Sequence, residues 1–187
     1  MYGKNGSGKS TLLKTIVGLK KPYKGSISLN IDLSEFSYLE QVNTKNNDFP
    51  ITVKEVILSG LQRPKKLFYT KEDNLTVINL AKKLKIEEIL DKKIGDISGG
   101  QKQRAILARS LAKNPKLLIL DEPLSGLDSK ITKEVLILLK ELNKESNITI
   151  LMSIHDMNLA KEVGTRFIVL DDEKIVFDGI SSSWKEV

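Results

Sequence analysis

Two spacings of apolar residues alternate along this chain. Between Lys9 and Leu19 the apolar side chains recur at helical spacing, which predicts an amphipathic helix. From Ser26 to Ile31 every second residue is apolar, and another short apolar stretch covers about Phe36 to Leu39. Both stretches predict strands. Short strands that alternate with amphipathic helices predict an α/β fold with a largely parallel sheet.

The segment from Ile51 to about Leu90 has a different pattern, because its spacing is helical throughout and shows no strand signal. Thr70 followed by Asp73 resembles a capping box for a helix that begins there. We therefore expect a helical sub-domain over about residues 51–97, inserted into an α/β core formed by residues 1–50 and 98–187 of a single domain. Its predicted helices lie near Val53–Ser59, Lys71–Leu84 and Ile86–Leu90.

The α/β pattern returns in the second half of the chain. Four apolar residues in a row predict a buried strand at Leu117–Leu120. The other predicted elements are a helix after Gly100, a helix near Lys130–Asn143, a strand at Ile148–Ser153, a short helix from Asp156, and a hairpin of Phe167–Leu170 with Lys174–Phe177.

Composition narrows the class of protein. The chain has 187 residues, of which 40% are hydrophobic and 29% charged, and it has no cysteine. This is typical of a globular domain and excludes disulfides and thiolate metal sites. No apolar run approaches the roughly 18 residues of a membrane span, and the first residues do not resemble a secretory leader, so we expect a cytoplasmic protein. The net charge of +6 is spread over lysines beside glutamates, which favours a solvated surface over a nucleic-acid groove.

The residues from Gly3 to Ser10 fit the pattern G-x-x-x-x-G-K-S of a phosphate-binding loop. Glycines let backbone N–H groups turn inward around phosphate oxygens, with a helix N-terminus behind them. Lys9 would reach the β- and γ-phosphates and Ser10 would hold Mg²⁺. The alternative is an ordinary glycine-rich turn before a helix. The candidate nucleotide-binding residues of this loop are Gly3, Lys4, Asn5, Gly6, Ser7, Gly8, Lys9, Ser10 and Thr11.

Two carboxylates, Asp121 and Glu122, directly follow the predicted strand Leu117–Leu120. The carboxyl ends of strands are where α/β sheets bind ligands. Asp121 would hold Mg²⁺ through water, and Glu122 would act as the general base that polarises the attacking water, because phosphoryl transfer requires a positioned nucleophile. The alternative is a solvated acidic turn before Pro123.

A third motif, Ser98-Gly99-Gly100-Gln101, opens a predicted helix. A hydroxyl, bare backbone amides and the helix dipole converge there on a position that suits an anion. Taken alone, the tetrapeptide is better explained as an ordinary serine N-cap followed by glycines, and only the order and spacing of the three motifs favour anion binding.

The order of these three motifs resembles that of the ATP-binding-cassette (ABC) ATPases. The resemblance covers essentially residues 3–180 and includes the stretch from Arg104 to Ala112. It implies a P-loop, RecA-like core and a cofactor requirement for ATP and Mg²⁺. It also implies that the loop Ser98–Gln101 contacts the γ-phosphate bound by a second, identical or related subunit.

Three further residues take roles from the resemblance. His155, the only histidine, matches the family's switch histidine, which contacts the γ-phosphate and orients the water; a lone histidine is otherwise usually structural. Gln41 matches the glutamine that joins Mg²⁺ to the helical sub-domain, the alternative being a polar strand end. Asp128 matches the loop that links two active sites across a dimer, and it is equally placed to cap the following helix.

The function implied is that of an ATPase subunit that powers a separate membrane permease from the inner face of the cell membrane, together with a second ATPase subunit and, for an importer, a substrate-binding protein. No nucleic-acid partner is expected. A weaker similarity over residues 48–60 points to importers of metal ions or iron chelates, the equally good alternative being a generic helix at the entry to the sub-domain. Two alternatives remain open: a cassette ATPase that acts on ribosomes or DNA, and a non-catalytic remnant.

The remnant alternative rests on the start of the chain, where only Met1 and Tyr2 precede Gly3. A phosphate loop needs a strand that leads into it and orients its amides. The resemblance implies roughly 30 further residues there, including that strand and an aromatic residue that stacks on adenine. We therefore expect these parts to be missing from the chain as given, and its stability and activity to be low.

Overall fold

The structure is a computed structural model, and it describes residues 1–40, 50–61 and 68–184. Its central sheet has three parallel strands in the order β1 (Phe36–Leu39), β2 (Leu117–Leu120) and β3 (Thr149–Met152). Leu39, Leu120 and Met152 lie side by side at the carboxyl ends of the strands. The predicted α/β class with a parallel sheet is confirmed, and the polar residues that follow β2 and β3 are brought to one edge.

A second sheet is the antiparallel hairpin of β4 (Arg166–Asp171) and β5 (Lys174–Ile180). Tyr2 joins the two sheets, because it forms parallel bridges to Ile154 on one side and to Val169 on the other. Its N–H donates to the Ile168 carbonyl and its own carbonyl accepts from the Leu170 N–H, both at 2.8 Å. The residue that leads into Gly3 is thus hydrogen-bonded like a strand.

Six α-helices accompany these strands in the described ranges. They are α1 (Lys9–Ile16), α2 (Val53–Ser59), α3 (Lys71–Lys83), α4 (Gly99–Leu111), α5 (Ser129–Ser146) and α6 (Met157–Val163). The predicted capping box is present at α3, where the Thr70 hydroxyl accepts from the Asp73 N–H while an Asp73 oxygen accepts from the Thr70 N–H. No helix of the described residues is long and apolar enough to cross a membrane.

The main core lies where the helices meet the central sheet. The side chains of Leu118, Ile119 and Leu120 are fully buried, as expected for a parallel strand covered on both faces. On α4 the small residues Ala105 and Ala108 are also fully buried. They allow the helix that starts at the Ser98 motif to pack closely against β1 and α2.

Two predicted elements are wrong. Residues 26–31 do not form a strand, and Ile27 in this segment is 43% exposed. An alternating pattern forms a strand only where a neighbour takes its backbone hydrogen bonds, and no such ladder reaches this segment from the described strands. The helix expected at Ile86–Leu90 is a single 3-10 turn, Glu87–Ile89, which is too short to propagate α-helical bonds.

Candidate functional site

The loop from Gly3 to Gly8 wraps around the start of α1. Gly8 is the N-cap of α1 and has φ of 91°, a left-handed conformation that other residues adopt at a cost. Gly3 has a different constraint, because a Cβ there would lie 2.5 Å from Ser7 Oγ and 2.6 Å from the Leu170 carbonyl oxygen. This backbone conformation therefore requires both glycines. The N–H groups in the first turn of a helix have no carbonyl partner within that helix, so those at the start of α1 are available to a ligand in the loop.

Lys9 folds back into this loop and is only 4% exposed. Its Nζ donates to the carbonyl oxygens of Gly3 at 2.9 Å and Lys4 at 3.0 Å. The carboxylate oxygen Glu122 Oε1 lies 3.8 Å from Nζ. A buried ammonium held by carbonyls and one distant carboxylate is a partly compensated positive charge, which suits the binding of an anion.

Asp121, only 2% exposed, receives hydrogen bonds from three hydroxyl groups. Ser10 Oγ donates to Oδ1 at 3.0 Å, Ser153 Oγ donates to the same oxygen at 2.8 Å, and the Tyr38 hydroxyl donates to Oδ2 at 3.4 Å. The structure thus brings together Ser10 and Asp121, the two predicted magnesium ligands that it describes. Burial raises the pKa of the Tyr38 hydroxyl, and the negative charges of Asp121 and Glu40 raise it further, so this group remains a donor.

Glu122 lies beside Asp121 in an unusual backbone conformation, with φ of 47°. Its N–H donates to Ser153 Oγ at 2.8 Å, and its carbonyl accepts from the Ser125 N–H at 3.1 Å. Its carboxylate faces Lys9 across 3.8 Å. The predicted base is therefore placed against the phosphate loop by a backbone held at both ends.

His155 and Glu122 line the same cavity, of about 330 Å³, together with Ser153 and the loop Leu124–Gly126. His155 is exposed, and α6 begins two residues later with Asp156 as its N-cap. An exposed imidazole is accessible to a bound ligand, as the predicted contact with a γ-phosphate requires.

Ser98 and Asp128 each cap a helix. The Ser98 hydroxyl accepts from the Gln101 N–H at 3.3 Å while Gln101 Oε1 accepts from the Ser98 N–H at 3.0 Å. Asp128 Oδ1 accepts from the N–H groups of Lys130 and Ile131 at 3.0 and 2.9 Å. The two motifs are neighbours, because a Cβ on Gly100 would lie 2.8 Å from Ile131.

Helix capping, the alternative role that the sequence offers for Ser98 and Asp128, is thus observed at both residues. Both residues are exposed. Within the part of the chain that the structure describes, their hydrogen bonds stay at their own helix starts and do not reach the phosphate loop. Gln41 lies outside the described residues, although β1, which leads to it, ends at Leu39 beside Leu120.

Sequence reasoning missed Tyr38 and Ser153. Tyr38 is separated from Asp121 by 83 residues and Ser153 by 32, so only the strand order β1-β2-β3 makes them neighbours. A signal was available in each case. Tyr38 carries its hydroxyl on a long side chain close to the carboxyl end of β1. Ser153 is the polar residue that directly follows the apolar residues Ile150, Leu151 and Met152.

The residues present fit a nucleotide phosphate with Mg²⁺. Ser7 Oγ is buried and has no hydrogen-bond partner among the residues that the structure describes, and Lys9, which begins α1, is a buried cation. Across the described ranges no group of three His, Asp or Glu side chains could hold a metal ion by itself. Mg²⁺ is typically held by one or two carboxylates, a hydroxyl, waters and the phosphates themselves, and Asp121 with Ser10 matches that donor set.

Comparison with known proteins agrees with this geometry. Residues 1–125 match the family model described as ABC transporter. The zinc uptake system ATP-binding protein ZurA of Listeria monocytogenes is 38% identical over 195 residues, which cover 99% of this chain and 76% of that protein. The high-affinity zinc uptake system ATP-binding protein ZnuC of Bacillus subtilis is 36% identical over 177 residues, covering 90% and 77%.

Among solved structures, a metal-chelate type ABC transporter in an inward-facing conformation superposes with a TM-score of 0.87 at 26% identity. The match covers 98% of this chain and 73% of the other. The chain therefore belongs to the ABC transporter family, as one of its ATP-binding proteins, whose members hydrolyse ATP. The predicted P-loop ATPase fold is confirmed, and the chain spans about three quarters of the length of these relatives.

Proposed function

We propose that this chain binds ATP with Mg²⁺ and hydrolyses it to drive a separate membrane permease that imports a metal ion or metal chelate. The observation that carries the proposal is the contact set around Asp121. It joins the phosphate loop, through Ser10 Oγ at 3.0 Å, to the strand end that bears the candidate base Glu122. Carboxylate, hydroxyl and buried ammonium together form a site for a phosphate–Mg²⁺ group rather than for a metal ion alone.

In this proposal Lys9 and the N–H groups at the start of α1 bind the β- and γ-phosphates. Ser10 and Asp121 hold Mg²⁺, which when bound neutralises charge on the transferring phosphoryl group. For Lys9 to contact a phosphate, its Nζ exchanges the carbonyls of Gly3 and Lys4 for phosphate oxygens. This exchange draws Nζ away from Glu122, and the carboxylate then accepts a hydrogen bond from the attacking water.

His155 and Glu122 line one cavity, which supports a role for both in binding the attacking water. Because phosphoryl transfer depends on positioning and charge stabilisation, these two residues need only orient the water and accept its proton. Gln41 would complete the magnesium shell from the end of β1.

A second copy, or a related ATPase subunit, completes the site. Ser98, Gly99 and Asp128 are exposed, and the two helix starts that they form are neighbours, since a Cβ on Gly100 would lie 2.8 Å from Ile131. These properties favour contact with a nucleotide held by the partner subunit. The permease, the position at the inner face of the membrane and a substrate-binding protein are proposed from the family and from the relatives' names as uptake-system ATP-binding proteins.

Metal is proposed as cargo because the two relatives named above carry zinc uptake in their names and the solved structure is of a metal-chelate type. The cassette ATPase acting on ribosomes or DNA is not favoured, since these proteins are transport components. The non-catalytic remnant remains the competing hypothesis.

One experiment distinguishes an active ATPase from a non-catalytic remnant. Binding of ATP to Lys9→Ala and to the matched control Lys14→Ala is measured with and without Mg²⁺, together with phosphate release. Lys14 is also on α1, but it forms an exposed ion pair with Glu40. We expect only Lys9→Ala to lose ATP binding, at least about tenfold, because a charged hydrogen bond to phosphate is lost. A wild-type chain that neither binds nor hydrolyses Mg-ATP would support the remnant hypothesis.

Cargo is tested with the ATPase assembled with its permease in lipid vesicles. Uptake that depends on ATP and is competed by zinc or by a metal chelate supports the proposal. ATP-dependent uptake of a cargo that contains no metal would refute the proposal that the cargo is a metal ion or chelate. It would leave the proposed ATPase activity intact.

A further inference from the structure

Ser153 is a buried hydroxyl that the proposed chemistry does not use. It directly follows β3, is 0% exposed, and its N–H donates to the Leu120 carbonyl at 2.9 Å. This bond places its side chain directly beside the end of β2, where the candidate magnesium ligand and the candidate base are consecutive residues.

The Ser153 hydroxyl contacts both of them. A serine hydroxyl has one proton to donate and lone pairs to accept with. Its Oγ lies 2.8 Å from Asp121 Oδ1 and 2.8 Å from the backbone nitrogen of Glu122. Because a backbone N–H can only donate and an ionised carboxylate can only accept, the directions are fixed. Ser153 donates to Asp121 and accepts from Glu122.

The second bond matters because of the backbone at Glu122. A φ of 47° is sparsely populated by residues other than glycine, and it persists only where the surroundings hold it. The Glu122 N–H is held by Ser153 at 2.8 Å and its carbonyl by the Ser125 N–H at 3.1 Å. These two bonds set the direction of the Glu122 side chain, which points toward Lys9.

The first bond has a complementary effect. Ser10 and Ser153 donate to the same oxygen of Asp121, and the Tyr38 hydroxyl donates to the other oxygen at a longer 3.4 Å. When the Ser10 hydroxyl turns to a metal ion, Ser153 therefore remains as the shorter of the two hydrogen bonds that hold the carboxylate. Ser153 thus holds both the Asp121 carboxylate and the backbone that carries the Glu122 side chain.

From these contacts we infer that Ser153 is a positioning residue for ATP hydrolysis, which holds the Asp121 carboxylate and the left-handed backbone of Glu122 in their working orientation. The inference rests on the proposed roles of Asp121 and Glu122. It predicts that loss of the hydroxyl lowers turnover more than nucleotide affinity, because the phosphate loop itself is not touched.

The test compares Ser153→Ala with Ser110→Ala. Ser110 is a matched control, since it is also buried, at 7% exposure, but its Oγ donates to the Ile106 carbonyl within α4. The first readout is hydrogen exchange of the Glu122 amide in the nucleotide-free protein, followed by NMR with ¹⁵N-glutamate labelling and assigned with Glu122→Gln. We expect exchange about tenfold faster in Ser153→Ala and unchanged in Ser110→Ala, since one hydrogen bond is lost.

The second readout is kinetic. We expect kcat of Ser153→Ala to fall about tenfold or more, with KM for ATP changed by less than about threefold. In a Glu122→Gln background the same substitution should cause a smaller fall, because only its effect through Asp121 remains. Unchanged Glu122 exchange, or a fall in kcat no larger than that of Ser110→Ala, would overturn the inference.

A third variant covers the case in which Ser153→Ala does not fold. Ser153→Thr retains the hydroxyl and should retain slow exchange at Glu122, whereas fast exchange in this folded variant would overturn the inference. A wild-type protein without Mg-dependent hydrolysis would instead refute the proposed function. The amide measurement needs no nucleotide, so it would still decide whether Ser153 holds Glu122.

Discussion

Replacing Glu122 by Gln should separate binding from hydrolysis and also change the stability of the nucleotide-free protein. The substitution keeps the size of the side chain and removes its charge. Turnover should fall by at least about 10²-fold, the usual contribution of a general base. ATP binding should remain, because the phosphate loop and Asp121 are unchanged.

The stability change follows from the ion pair with Lys9. The Lys9 Nζ and Glu122 Oε1 atoms are 3.8 Å apart, and the two side chains are 3% and 16% exposed. At an effective dielectric constant of about 20 this attraction is about 4 kcal/mol before desolvation. Lys9 keeps its two carbonyl partners, so we expect the free energy of unfolding to fall by about 1–2 kcal/mol. For a chain of this size that corresponds to a decrease in Tm of about 2–8 °C.

The assay is thermal unfolding with and without Mg-ATP. Bound phosphate replaces the carboxylate as the partner of Lys9, so saturating nucleotide should narrow the difference in Tm between variant and wild type. Asp178→Asn is the control, because it removes an ion pair to Arg166 that is shorter, at 2.8 Å, but 68% and 42% exposed. Screening by water should leave its Tm nearly unchanged.

Two results would refute this reasoning. Near-normal turnover of Glu122→Gln would remove Glu122 from the role of base. A Tm equal to wild type without nucleotide would show that the carboxylate does not compensate the Lys9 charge, and the exchange of partners proposed for Lys9 would lose its support.

Two further predictions concern the partner subunit and pH. Mixing Ser98→Arg with Lys9→Ala protein should restore part of the hydrolysis that each variant lacks alone, because a mixed dimer has one site with both defects and one intact; mixed dimers that form but do not hydrolyse would contradict a site shared between subunits. In the chain that begins with Met1, burial and then the charge of Lys9 lower the pKa of the terminal amine from 8.0 to about 6. The folded state therefore binds fewer protons than the unfolded state between these values, and the free energy of unfolding should rise from about pH 6 to pH 8; the chain acetylated at Met1 should lack this rise.

The sequence predicted those parts of the fold that depend on local pattern. The strand at Leu117–Leu120 was predicted from four consecutive apolar residues, and its confirmed bounds place Asp121 at the sheet edge. The segment from Ser26 to Ile31 had an equally clear alternation and is not a strand. The two segments differ in whether a partner strand is present. β2 lies between β1 and β3, and the periodicity of a sequence does not reveal whether such a partner exists.

The same limit applies to the candidate site. Lys9, Ser10 and Asp121 could be selected from motifs, because each motif is contiguous in sequence. The contacts of Tyr38 and Ser153 with Asp121 could not, because they depend on which strands are adjacent and in what register. Once the order β1-β2-β3 is known, the first polar residues past the strand ends are the ones to examine. In this fold Ser153 is among them.

The caps at Ser98 and Asp128 illustrate why a structural role and a binding role need not exclude each other. A helix start offers N–H groups that no carbonyl of its own helix can satisfy. A side-chain oxygen satisfies one or two of them, as Ser98 Oγ does for the Gln101 N–H at a rather long 3.3 Å, and the others remain available to an anion. The cap also holds the first turn of α4 in one conformation, so these N–H groups keep a fixed direction. For that reason the observed capping box at Ser98 is compatible with its proposed contact to a partner's nucleotide, and the mixing experiment, rather than the cap geometry, distinguishes the two hypotheses.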